Sequence, residues 1–293
     1  MNTFANSPYI SGDVLLPQVT RLKYQYCSSL INNTGGFRRA NAALEILPYS
    51  LGNAALAMFE LTRDQIAIAS AKASVESPNT ISELQESQKN LLGYRLDAFL
   101  DAARRTQNAI IPYLRQNFPK LSISKSLTGV IENLRNDKLQ LPEQVRSQII
   151  DYWDCYGEKL KSYRDLGQHY MIVATEARVF IPTEGTPALI FCLPNNPDTR
   201  PLENLSYTNP QVHVQQFVQD QFLNLLAFCY SILENLLKPN VPAAILTVMG
   251  GRTQLEPSMQ AYFLPTIDQV ENDIKTVLDT LLKKHSHAPY RDS

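Results

Sequence analysis

The segment YRDLGQHY sets Arg164 and His169 apart by four residues, with Asp165 directly after the arginine. These residue types suit proton transfer beside an anion. Histidine changes charge near neutral pH, whereas arginine stays charged and presents a planar donor fork to phosphate or carboxylate oxygens. On a helix, Asp165 and His169 stand four apart and can pair, which would fix the imidazole's tautomer while Arg164 faces a phosphate. The competing reading is architectural: a cationic pair near a helix C-terminus is favoured by the helix dipole without any chemistry. Spacing alone does not choose between them.

A second feature bears on anionic partners. From Lys89 to Lys125 the bases Lys89, Arg95, Arg104, Arg105, Arg115, Lys120 and Lys125 face only two acids, Asp97 and Asp101. This stretch is expected to form one wall of a basic groove, with Arg95, Arg104, Arg105 and Arg115 as RNA-contacting candidates, or else a solvated face rich in good helix formers. Gly35-Gly36 and Gly250-Gly251 match neither a P-loop nor a dinucleotide fingerprint and read as turns. Cys27, Cys155, Cys192 and Cys229 lie far apart with no C-x-x-C pair, and no Cys/His pair is apparent. His213, His285 and His287 lack further ligands at regular spacing, so neither a metal site nor a cofactor is expected.

The elements that must position these residues follow from periodicity. Leu92, Leu96, Phe99, Ala103, Thr106 and Ile110 recur at steps of three and four, predicting a helix that begins near Thr80 and is stopped by Pro119. Val145, Ile149, Trp153, Tyr156, Leu160 and Tyr163 stripe a second helix from Pro142 to about Gly167. A third, about Gln211 to Leu237, carries Val214, Val218, Phe222, Leu225, Cys229, Ile232 and Leu236. A fourth covers Thr266 to Lys284, and a further helical region lies between Ala42 and Val75, with Pro48 kinking it or setting its start. Between the second and third stripes the β-branched and aromatic residues around Pro182-Thr183-Glu184-Gly185 predict a β-hairpin at about 170–193. One more strand is expected at Ala244 to Val248.

At this level the chain resembles the HEPN superfamily, helical bundles with an Arg-x4-6-His motif near the end of a core helix and commonly a polar residue after the arginine. Here the motif reads Arg164, Asp165, His169. The resemblance extends from AFLDAARRTQNAI through LPNNPDTRP to the helix from Gln211, and is greatest to uncharacterised bacterial members with a hairpin before the last bundle helix. It implies a homodimeric RNA-binding protein, or a ribonuclease whose paired motifs cleave RNA without metal, in a bacterial defence role. In that chemistry a 2′-hydroxyl loses a proton while attacking phosphorus and the leaving oxygen gains one. His169 would serve either transfer, Asp165 would orient it, and Arg164 would stabilise the charge on the phosphoryl oxygens. The rival reading, from another class, is a non-enzymatic helical module for binding a partner protein.

Composition bounds the whole. The chain has 293 residues, 44% hydrophobic and 19% charged, which supports a packed core and excludes wholesale disorder or a coiled-coil rod. A net charge of -1 gives no global attraction to nucleic acid or anionic lipid. No signal-like N-terminus or membrane-length apolar run is apparent, so a cytoplasmic protein without membrane contact is expected. The expected fold is mainly α, a helical bundle with a small β-hairpin inserted between its third and fourth helices. Residues 80–238 would form the bundle, 1–79 an irregular and helical extension, and 239–293 an irregular segment and helix packed on it, with no linker dividing the chain into independent domains.

Overall fold

The computed structural model describes residues 37–169, 176–200, 202–207 and 212–236. The expected strand at Ala244 to Val248, the helix at Thr266 to Lys284, and His285 and His287 lie outside them. The protein is mainly helical with a small four-stranded antiparallel sheet. In chain order the elements are α1 (Phe37–Ala73), β1 (Thr80–Glu83), α2 (Glu86–Ala109), α3 (Ile111–Asn117), α4 (Leu127–Arg135) and α5 (Glu143–Tyr152). A π-helical segment (Trp153–Gly157), α6 (Glu158–His169), β2 (Glu176–Ile181), β3 (Ala188–Leu193), β4 (Val212–His213) and α7 (Val214–Leu236) follow, with a 3₁₀ turn at Leu202–Asn204. Among the described residues, contacts divide the chain into two compact units, one taking 37–52, Arg105–Gly157 and 224–236, the other Asn53–Arg104 and the described part of Glu158–Leu223.

The second unit holds the sheet, ordered β1-β2-β3-β4. The helix expected from Thr80 starts later, at Glu86, because Thr80–Glu83 is a strand paired with Arg178–Ile181. Asn79, at φ 60°, turns the chain into it. The hairpin is formed by β2 and β3, and Gly185 takes the left-handed φ of 100° that its tight turn needs. Ala177, Val179 and Ile181 are buried while Arg178 and Phe180 alternate outward, the period of a half-covered strand. The hairpin thus gains a strand on each side, and Val212–His213, expected as the start of a helix, is β4 instead. Leu92, Leu96, Phe99, Leu160, Tyr163, Val218 and Phe222 are buried in this unit as their stripes predict.

The first unit is built around α3, α4 and α5. The helix expected to run to Pro119 breaks at Ile110, because Pro112 has no N–H for a bond to residue 108 and instead opens α3. Helix α4 was not anticipated; Ser126 caps it by accepting from the Gly129 amide at 3.2 Å, and Asn108 accepts from the Leu127 amide at 3.0 Å. After α5 the chain winds as a π-helix, and Gly157 rather than the expected Tyr156 is the buried residue on the stripe. The buried Gln107 amide donates to the Tyr152 hydroxyl at 3.0 Å and the Gly157 carbonyl at 3.2 Å. The Tyr152 ring stacks on Phe228 at 4.0 Å. Helix α1 passes through Pro48 instead of starting there.

Candidate functional site

Helix α6 carries the Arg-x4-His motif. It buries Leu160, Tyr163 and Leu166, and this anchored face leaves Lys161, Arg164, Asp165 and Gln168 partly or fully exposed. The buried Tyr163 hydroxyl donates to the Pro194 carbonyl at 2.5 Å, and its ring meets Phe217 edge-on. Burial, then the charge of Asp198, raises its pKa far above the ordinary phenol value. Gly167 does not end the helix as expected. It keeps helical geometry, and the following residue is tied to α2 where Gln168 Nε2 donates to Asp101 Oδ1 at 2.8 Å.

Arg164 is 30% exposed at its side chain and is held by two carboxylates. Its Nε donates to Asp101 Oδ1 of α2 at 3.2 Å, and its Nη1 to Asp165 Oδ1 at 3.3 Å. Its Nη2 meets no partner among the described residues. Asp165 Oδ2 pairs with Lys161 one turn back at 2.8 Å. Burial would push the Asp165 carboxyl up, but Lys161 and then Arg164 outweigh it and hold the group below the usual carboxylate range. Both Asp165 oxygens therefore serve cations of its own helix. His169 is the last residue of α6, and its side chain lies outside the described residues, as does any pairing with Asp165.

The four arginines proposed from the basic stretch do not share one environment. Arg95 pairs with Glu60 and, through Nε at 2.8 Å, with Asp64, both on α1. Burial would lower its pKa, but the bonds and charges of those acids raise it. Arg115 donates its Nε and Nη2 to the Ile123 carbonyl at 3.3 and 2.9 Å, so it closes a turn in the first unit. Arg104 is half-buried and engaged, whereas Arg105 is exposed. Arg105 and Arg115 belong to the first unit, Arg95 and Arg104 to the second.

Sequence reasoning missed the acid that matters most. Asp101 is one of only two acids among seven bases, and the structure places it against Arg164 and Gln168 from another helix. It also missed a Cys/His pair: the β3–β4 register sets Cys192 opposite His213, with Sγ and Nδ1 3.8 Å apart. No sequence signal marks it, because a two-residue strand is too short to show a period and runs straight into a helical stripe. Among the described residues no group of three or more His, Cys, Asp or Glu side chains could hold a metal ion, and no helix is long and apolar enough to cross a membrane. No protein-family model, curated protein or solved structure matches the chain.

Proposed function

We propose that this protein is a HEPN-like RNA-binding protein, acting as a homodimer, in which Arg164 contacts phosphate and His169 transfers protons in metal-independent RNA cleavage. The observation that supports this reading is the state of Arg164. The guanidinium is held at Nε by Asp101 and at Nη1 by Asp165, is partly exposed, and keeps Nη2 free among the described residues for an anionic oxygen. A fixed donor loses less entropy on binding than a mobile one. One copy offers a single imidazole for two proton transfers, so a second copy of the motif would complete the chemistry.

The test is a matched pair of variants assayed on single-stranded RNA in excess EDTA. His169→Ala should lower cleavage by about 10²- to 10⁴-fold with RNA affinity retained, and products should end in 2′,3′-cyclic phosphate. Arg164→Ala should weaken both binding and cleavage, because guanidinium meets phosphate in the ground and transition states alike. Cleavage that requires metal, or equal cleavage of DNA, would retire the mechanism.

A second reading has its own observation. The bonds from Arg164 and Gln168 to Asp101 tie α6 to α2, as they would in a non-enzymatic module that binds a partner protein. Under that reading, both substitutions lower the melting temperature and change no RNA property.

A further inference from the structure

We propose that Asp101 competes with anionic ligands for Arg164, so that this one carboxylate limits the affinity of the site. The inference rests on the RNA-binding reading above. A guanidinium offers two bidentate edges, Nε with Nη2 and Nη1 with Nη2. Asp101 occupies the single Nε–H, so the Nε/Nη2 edge retains one donor, whereas Asp165 takes only one of the two N–H groups of Nη1. Bidentate binding across the Nε/Nη2 edge requires Asp101 to leave.

The two acids differ in how firmly they are kept. Asp165 is on the same helix as Arg164, and its second oxygen is paired with Lys161 at 2.8 Å. Asp101 is the more exposed, at 40% against 32%, and apart from Arg164 it is held by the neutral amide of Gln168. Asp97, one turn earlier on α2, feels the Asp101 charge as a repulsion. A phosphate that displaces Asp101 from Arg164 leaves the Gln168 bond in place and keeps the Lys161–Asp165 pair whole. Asparagine at position 101 would keep an acceptor for Gln168 without opposing the phosphate electrostatically.

Fluorescence-labelled single-stranded RNA, titrated with the full chain across a range of salt concentrations, tests this in a double-mutant cycle. Asp101→Asn should tighten binding about two- to fivefold, the range of one exposed ion pair. It should also steepen the dependence of log affinity on log salt by up to about 0.7, because the Arg164 charge that Asp101 had neutralised becomes available to phosphate. In the Arg164→Ala background the same substitution should change nothing. A gain that persists without Arg164 would mean general charge removal and overturn the proposal; so would weaker binding by Asp101→Asn, which would make the acid a support for Arg164. Asp101→Ser, with equal melting temperature, guards against a folding defect. Failure of the underlying reading looks different: wild type, Arg164→Ala and Asp101→Asn would then all bind RNA equally or not at all.

Discussion

Asp97 and Asp165 are both carboxylates near Arg164's helix pair, yet their environments act in opposite directions. For Asp97, burial and then the charge of Asp101 raise the pKa above 3.8, so ionisation at neutral pH opposes folding. That cost is full above the folded-state value and vanishes below 3.8, where both states are protonated. Asp97→Asn should therefore raise the urea midpoint at pH 7, and the gain should fade as the pH is lowered toward 4; an equal gain at both pH values would refute it. For Asp165 the folded-state pKa is depressed, so its pairs stabilise the fold above the unfolded-state value and that stabilisation is lost as pH falls through the folded one. Replacing Lys161 with methionine should reduce this acid sensitivity while keeping the aliphatic stem.

At the scale of elements, the π-helical segment leaves no room beside its glycine. A Cβ on Gly157 would stand 3.0 Å from Tyr152 Cε1, 3.1 Å from Trp153 Cε3 and 3.3 Å from Gln107 Nε2. Gly157→Ala should destabilise the protein by about 1–3 kcal/mol, read by thermal melting, since two aromatic rings and a bonded amide must shift together. Wherever burial repeats at helical spacing the elements were legible: Phe99, Leu160, Phe222 and Cys229 are all fully buried as their stripes require. The hairpin was legible too, from Gly185 and the β-branched residues on either side. Strands β1 and β4 were not, because four and two residues are too few to show a period and each gains its place by pairing with a distant strand. The same limit applies to the site. Arg164 and Asp165 are neighbours in sequence and could be read together, but Asp101 lies 63 residues from Arg164 and only packing brings them together.

For the molecule as a whole, each compact unit is gathered, among the described residues, from separate stretches of chain, so no continuous fragment that excludes the other unit contains one. A fragment Met1–Gly157 should fail to fold alone. The single tryptophan, Trp153, is buried in the intact protein, and its emission in that fragment should be that of a solvated indole; a blue-shifted emission would contradict the expectation. Phe99→Ala, at a fully buried site, should cost about 3–5 kcal/mol in the intact chain, with an unchanged melting temperature as the refuting result. The sheet carries one more consequence. Strand β2 meets β3 across a short turn, but Glu83 of β1 pairs with Arg178, a residue made 95 positions later. At the usual pace of ribosomal synthesis, β1 emerges roughly 5 to 20 seconds before its partner exists. During that interval the nascent chain must keep an unpaired strand from meeting a stranger, and the earliest moment at which β1 can find its partner is set by translation speed.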